Sequence, residues 1–278
     1  MPMNRRRLGA EYRAPGMIVT SEQIHAFADA TLERLPIYKG PKPVAPPVFG
    51  IVPAWPVVTA CLADDWLGLD LRRIVHGEQR FIFHRPIEAG DELTTLGWLS
   101  SMMEKGPNEL FTLSLRTVDA AGTRVMDQEV VCVSRGTARV PPRNPAGPDV
   151  PPPPMPSYPP DVDRQVRLPE NITYAYAKAS GDHNRIHVDP AFARKAGLPG
   201  VIVHGLCMLA VAAQGAIEEL ADGDVSLVRS LTVRFSRPLV AGSVLTTRTW
   251  ASHEGARFES VGPNGKVVLR NGRIVLGE

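Results

Sequence analysis

The sequence predicts an α+β fold built from two copies of one unit, in which helices come first and an antiparallel sheet follows. In each half, strand-like stretches separated by turn residues come after helical segments. Residues 84–95 and 236–247 match as an internal repeat with a period of about 150 residues. Between the copies, 141–160 contains eleven prolines in twenty residues and predicts an extended connector. We therefore expect a domain at 1–140, a linker at 141–160 and a second domain at 161–278.

In the first half, a short apolar run at 16–19 precedes a helix that Thr20 or Ser21 caps and that ends near Thr31. Five prolines within 36–47 argue against regular structure there. A second helix is predicted at 53–62, because proline is acceptable in a first helical turn. The predicted strands are 71–85, 91–104, 109–118 and 123–135.

The second half repeats this order, with a helix at 171–180 and then a loop at 181–189. Gly181 and the β-branched residues Ile186 and Val188 predict a bent loop that runs into an extended piece instead of a helix. Asp189 caps a short helix that Pro190 begins and Gly197 ends. The helix predicted at 205–220 is apolar on nearly every face, so it should be buried, with the sheet wrapped around it. The predicted strands are 225–236, 243–252, 256–261 and 266–276.

Composition limits the class of protein. The chain has 278 residues, is 44% hydrophobic and has a net charge of +2, which gives no reason to expect a nucleic acid or an acidic membrane surface as partner. Its three cysteines, Cys61, Cys132 and Cys207, lie far apart in apolar surroundings and predict reduced, buried thiols. Since neither a signal peptide, a transmembrane run nor a C-terminal peroxisomal address is recognisable, we expect a cytoplasmic protein.

The residues with the strongest chemical implication lie in the 181–189 loop. Asp182, Asn184 and His187 place a carboxylate, an amide and an imidazole within six residues, and a bent loop can turn the first and last toward one point. Seventeen residues after His187, His204-Gly205 opens the long apolar helix, whose free N–H groups and positive dipole end suit an oxyanion. An acid/base pair beside an oxyanion donor indicates addition or elimination next to a thioester carbonyl.

The run from Gly181 to His187 resembles the G-D-x-N-P-[LIV]-H signature of the MaoC-like, (R)-specific enoyl-CoA hydratases, also called hydratase 2. The segment 203–206 is similar to the start of that family's central helix, and 75–79 and 104–106 resemble its two-domain members. The resemblance implies a double hot dog fold, with two sheets each wrapped around a helix and packed as an internal pseudo-dimer. Arg185 stands where the family usually has proline, which we expect to loosen the loop backbone or to favour a particular substrate.

The resemblance also implies an activity, the reversible hydration of trans-2-enoyl-CoA to (3R)-3-hydroxyacyl-CoA, with no metal and no organic cofactor. Asp182 and His187 would jointly activate the water and manage the C2 proton, since imidazole titrates near neutral pH. The Gly205 amide would stabilise the oxyanion, and Asn184 would orient the water or a loop carbonyl. The substrate-binding residues carried over by position are His76, Gly77, Lys105, Ile186 and Phe235. His204 would either contact the substrate or merely brace the helix start.

The first half lacks this motif, because 31–35 contains no Gly-Asp pair and no histidine, and Pro53-Ala54 aligns with His204-Gly205. We therefore expect one catalytic site per chain, with the first half making room for the acyl group.

Two other functions stay open. A hot dog thioesterase should carry a carboxylate on the central helix, but the first acid there is Glu218, near its far end. A non-catalytic acyl-CoA-binding subunit would not need the Asp182/His187 pair. A metal held by His183 and His187 is disfavoured, because a non-helical loop would not put both on one face. The acyl group and its carrier, CoA or acyl carrier protein, stay open, and we expect a homodimer of pseudo-dimers.

Overall fold

The computed structural model describes residues 2–138 and 154–277. Most of the predicted 141–160 connector lies outside these residues, so the domain boundaries stay a prediction. The helices are α1 (Ser21–Ala30), α2 (Ile51–Leu62), α3 (Ile172–Ser180), α4 (Arg185–Val188), α5 (Pro190–Lys195) and α6 (Gly205–Leu220). The strands are β1 (Glu11–Arg13), β2 (Met17–Ile18), β3 (Ile74–Phe83), β4 (Glu92–Lys105), β5 (Asn108–Asp119), β6 (Arg124–Ser134), β7 (Val162–Arg167), β8 (Val228–Phe235), β9 (Val244–Ser252), β10 (Gly255–Val261) and β11 (Val267–Leu276).

The strands form one antiparallel sheet of 11 strands, in the order β1-β4-β5-β6-β3-β8-β11-β10-β9-β7, with β2 paired to β4. The halves meet where β3 pairs with β8, from Glu78 opposite Arg234 to Ile82 opposite Ser230. The two predicted sheets thus join edge to edge, which satisfies the backbone groups that each half alone would leave open. The arrangement is the double hot dog fold that the sequence predicts.

Each half has its own central helix. The residues of α6 from Leu206 to Ile217 are all buried, as expected for a helix that is apolar on every face. In the first half, α2 packs on β4 and β5, so a single helix does not serve the whole sheet. Helices α1 and α3 meet through Phe27 and Tyr176, whose ring centroids are 5.5 Å apart. The three cysteines are free and buried, as predicted.

Several local predictions differ from the structure, and strand β1 was not predicted at all. The segment 185–188 is the helical turn α4, because the Asn184 side chain accepts a hydrogen bond from Ile186 N and caps it, outweighing the β-branched residues. Short 3₁₀ turns occur at Pro36–Tyr38 and Pro47–Gly50, where we expected no regular structure. Strand β7 was missed, because its six residues are mostly polar and only pairing with β9 makes them a strand.

The alignment of Pro53-Ala54 with His204-Gly205 is also wrong. Equivalent backbone contacts precede the two central helices: the bridges Val44–Glu88 and Ile202–Val240, and the hydrogen bonds Ala45 N to Ile87 O (2.7 Å) and Val203 N to Leu239 O (2.8 Å). The residues that follow these contacts are Pro46-Pro47 in one half and His204-Gly205 in the other. Pro47 therefore occupies the place of Gly205, and proline has no N–H to offer there.

Candidate active site

The end of α3 sets the position of Asp182. Gly181 caps the helix in the left-handed region at φ 81°, which favours glycine, and its N–H donates to Ala177 O. The Asp182 N–H donates to Ser180 Oγ at 3.2 Å, and Asp182 Oδ1 accepts from Asn184 N at 3.1 Å. Burial raises the pKa of Asp182, although the neighbouring His187 opposes that shift.

His187 is buried in α4 and is held by one hydrogen bond, from Nδ1 to Ile202 O at 2.7 Å. Because a carbonyl oxygen only accepts, Nδ1 must carry the proton and Nε2 keeps its lone pair. Burial lowers the pKa of His187, and the Asp182 carboxylate limits the shift. The imidazole is therefore neutral near pH 7 and presents Nε2 as a base.

His204, at the N-cap of α6, stacks on His187 with ring centroids 3.8 Å apart and 26° between the planes. Its Nε2 donates to Asp182 O at 3.0 Å, so it braces the backbone of the acid. Burial, followed by repulsion from His187, lowers the pKa of His204 to about 2. Its buried Nδ1 has no hydrogen-bond partner among the described residues and is available as an acceptor.

Ligand atoms of Asp182, His187 and His204 lie within 4.8 Å of one another. A metal ion bound by two imidazoles lies close to both ring planes, about 2 Å from each nitrogen. Stacked, nearly parallel rings have no such common point, so this cluster suits proton transfer better than metal binding. The alternative metal ligand His183 is exposed and lies outside the cluster.

The start of α6 offers backbone N–H groups beside this cluster. Gly205 is the first residue of that helix, so its N–H is among those that have no acceptor within the helix. A Cβ at Gly205 would lie 2.8 Å from the Phe235 ring. Only glycine therefore allows Phe235 to cover this point closely.

The first half reaches the cluster through β3. The His76 ring contacts Phe235 with centroids 4.6 Å apart, and burial lowers the pKa of His76 to about 4. Its Nε2 is buried and has no hydrogen-bond partner among the described residues. Gly77 lies at an irregularity in the β3–β6 pairing, where a Cβ would be 2.9 Å from Val133. Gly77 therefore permits the bulge that sets the position of His76.

Three other predicted residues have less direct geometry. Asn184 caps α4, so its Oδ1 orients the loop backbone. Lys105 lies exposed at the end of β4, opposite Asn108, and its role in binding stays a prediction. Ile186, between Asn184 and His187 in chain order, is half-buried in α4.

Arg185 is held in place. Its Nη2 is 2.7 Å from Asp189 Oδ2, and its guanidinium lies 4.3 Å from the centroid of the Phe192 ring. Asp189 also caps α5 by accepting from Phe192 N. These contacts link α4 to α5, whereas the expected loosening of the loop backbone relative to proline stays a prediction.

Sequence reasoning missed two neighbours of the site. Trp55 of α2 donates from Nε1 to Gly181 O at 2.9 Å. Tyr176 of α3 is buried with its ring centroid 4.8 Å from that of His204. Both are ordinary helix residues in the sequence, and only the packing of α2 and α3 brings them to the site.

The first half contains an altered version of the same loop. The run Leu32-Glu33-Arg34-Leu35-Pro36-Ile37-Tyr38 corresponds to Gly181-Asp182-His183-Asn184-Arg185-Ile186-His187. Leu32 adopts a positive φ of 60°, as Gly181 does, and a helical turn follows in both loops. Glu33 thus occupies the place of Asp182, and Tyr38 that of His187. With no imidazole, and with Pro47 in place of Gly205, this loop lacks a base and an oxyanion donor.

Glu33 is nevertheless unusual, since only 5% of its surface is exposed. Burial, together with repulsion from Glu218, raises the pKa of Glu33 to about 8. Glu218 itself is paired with Arg164, at 2.5 Å between Oε2 and Nη1. The carboxyl of Glu33 is therefore largely protonated at neutral pH.

The fold and the side-chain cluster define a double hot dog protein with one candidate acid/base site, beside the N-terminus of a central helix. Two family models match the chain, a MaoC like domain over residues 154–271 and a FAS1-like dehydratase domain region over residues 6–128. A Mycobacterium tuberculosis protein named 3-hydroxyacyl-thioester dehydratase Y is 31% identical over 72% of this chain and 72% of its own length. The chain belongs to the MaoC-like dehydratase family.

Mouse peroxisomal multifunctional enzyme type 2 is 27% identical over 83% of this chain, which spans only 31% of that enzyme. The crystal structure of a MaoC-like dehydratase from Phytophthora capsici superposes with a TM-score of 0.84, at 25% identity, over 99% of this chain and 98% of that one. Within residues 2–138 and 154–277, helices long and apolar enough to cross a membrane are absent.

Proposed function

We propose that this protein catalyses the reversible hydration of a trans-2-enoyl-CoA to the (3R)-3-hydroxyacyl-CoA. The observation that carries the proposal is that a ring nitrogen of His187 lies within 4.8 Å of a carboxylate oxygen of Asp182, beside the start of α6, while the hydrogen bond from Nδ1 to Ile202 O leaves Nε2 as the base. The name of one relative, 3-hydroxyacyl-thioester dehydratase Y, agrees with this reaction class.

In the proposed mechanism, a water molecule lies between Asp182 and His187. His187 Nε2 takes a proton from the water as its oxygen adds to C3 of the enoyl group. The electron pair moves through C2 to the thioester oxygen, where the Gly205 N–H and the positive end of α6 stabilise the enolate. Asp182 holds the same water, and the pair then delivers to C2 the proton that His187 took, so both hydrogens of the product come from the water and the two side chains return to their starting state. Dehydration is the reverse sequence.

The surfaces for the substrate follow from the same geometry. Phe235 and His76 form an aromatic wall next to Gly205, and we assign them, with Ile186, to the thioester and the first carbons of the acyl group. Lys105 is assigned to a CoA phosphate, as a point charge suited to that group. Homodimer formation and a cytoplasmic location remain predictions of the sequence.

Turnover of crotonyl-CoA and of a longer enoyl-CoA tests the proposal, with loss of the enoyl-thioester absorbance as signal and chiral analysis of the product. Asp182→Asn and His187→Gln should each lower kcat by roughly 10²–10⁴. His183→Gln, a change in the exposed neighbour, is the matched control and should keep wild-type activity.

Two results would contradict the proposal. Release of free CoA would indicate a thioesterase. A thioesterase would need a carboxylate on the central helix, where the first acid is Glu218, which is paired with Arg164 at the other end of α6. Binding of enoyl-CoA without turnover would indicate an acyl-CoA-binding subunit.

A further inference from the structure

The first half touches the catalytic loop through one polar side chain. Trp55 lies half-buried on α2, and its Nε1 donates to the carbonyl of Gly181, the residue directly before Asp182, at 2.9 Å. The indole also packs against Gly181, because a Cβ there would lie 3.2 Å from Trp55 Cδ1. Hydrogen bond and ring contact together fix the turn on which Asp182 sits.

The other bonds of this turn come from the second half. The Gly181 carbonyl also accepts from His183 N at 3.1 Å, and Asp182 is held by Ser180 and His204. These contacts tie the turn to its own domain. The packing of α3 on α1 positions the whole helix against the first half, and Trp55 adds a hydrogen bond from that half to the turn itself.

A similar contact runs in the other direction, one residue away at each end from the positions that correspond to Trp55 and Gly181. Gln214 of α6 donates from Nε2 to Thr31 O at 2.7 Å, just before Leu32-Glu33 in the altered loop of the first half. In each half, therefore, a side chain of the central helix donates a hydrogen bond to the backbone that follows the first long helix of the other half. Because a contact of this kind occurs in both halves, it is a feature of the two-domain fold.

We propose that Trp55 is a positioning residue for catalysis, through which the non-catalytic half sets the orientation of Asp182. The inference rests on the proposed hydratase function. A displacement of about 1 Å in a catalytic group can cost up to about 100-fold in rate, so a side chain remote from the substrate can control kcat. Trp55 does not touch the reacting atoms and acts only through Gly181.

The test is Trp55→Phe, which keeps an aromatic ring against Gly181 but removes the N–H donor. Steady-state kinetics with crotonyl-CoA should show kcat lowered roughly 5- to 100-fold with KM nearly unchanged, since an interaction that orients a catalytic group affects the transition state most. The pH dependence of kcat should also shift, because Asp182 would change its distance to His187. Trp66→Phe is the matched control, since Trp66 is 77% exposed, and it should behave as the wild type.

The melting temperature of each variant separates positioning from folding. A kcat loss in Trp55→Phe with an unchanged melting temperature and a shifted pH profile supports the inference. Wild-type kcat in Trp55→Phe, or a loss that only follows the unfolded fraction, would overturn the inference and leave the hydratase proposal intact. Absence of turnover in the wild type itself would overturn both.

Discussion

Glu33 allows a stability prediction that the sequence alone does not give. Its carboxyl is 5% exposed and faces Glu218, Gln214 and Arg164, and its pKa is raised to about 8 from an ordinary value of 4.5. The folded state therefore holds a proton that the unfolded chain releases above pH 4.5. The stability linked to Glu33 is complete below pH 4.5, and it falls as pH rises toward 8.

The magnitude follows from the two pKa values. Each pH unit between them removes about 1.4 kcal/mol, so this group lowers the free energy of unfolding by about 3 kcal/mol between pH 4.5 and pH 7. In Glu33→Gln the amide keeps the shape of the protonated acid and does not titrate. We expect the variant to exceed the wild type by about 2–4 kcal/mol at pH 7, with the difference vanishing below pH 4.5. For a chain of this size that is a rise in Tm of roughly 5 °C or more.

Thermal and urea unfolding of both proteins from pH 5 to pH 8 provides the measurement. Glu219→Gln is the matched control, because Glu219 is exposed on the same helix as Glu218 and its loss should not change the slope of stability against pH. Parallel curves for Glu33→Gln and wild type would refute the reasoning. A variant less stable at every pH would show instead that Glu33 is ionised and bound to Arg164.

Two further predictions concern the catalytic half. Because burial lowers the pKa of His187 from its ordinary value of 6.5, the acidic limb of the pH profile of kcat/KM should have its midpoint below pH 6.5. This limb should be absent in His187→Gln, and a midpoint at or above pH 7 in the wild type would contradict the prediction. Gly205→Ala places a Cβ 2.8 Å from the Phe235 ring, so the variant should lose about 1–3 kcal/mol of stability and have a lower kcat. Adding Phe235→Leu to this variant should restore its stability. If Gly205→Ala melts at the wild-type temperature, the ring does not cover Gly205.

The sequence could predict features that depend on local chemistry. The apolar residues of α6 required burial whatever surrounded them, and the spacing of turn residues required antiparallel strands. The proximity of Asp182 and His187 was expected, because a bent loop of six residues can turn both side chains toward one point. The sequence missed α4, because the Asn184 cap competes with β-branched propensity and the outcome depends on a single hydrogen bond.

Alignment alone could not place the first half correctly. Matching letters put Pro53-Ala54 on His204-Gly205, whereas the backbone contacts show that Pro46-Pro47 takes that position. The loop with Glu33 was overlooked, because Leu-Glu and tyrosine do not look like Gly-Asp and histidine until φ angles and burial are compared.

By itself, then, the sequence determined the two-fold repeat, the buried central helix and the loop that carries Asp182 and His187. The helix and the loop depend on residues near one another in the chain, and the repeat depends on the similarity of the two halves. The tertiary structure alone decided which nitrogen of His187 is free, what His204 holds, and how Trp55 reaches Gly181. The physical reason is that each of these depends on a hydrogen-bond partner distant in sequence, and burial then fixes the protonation state.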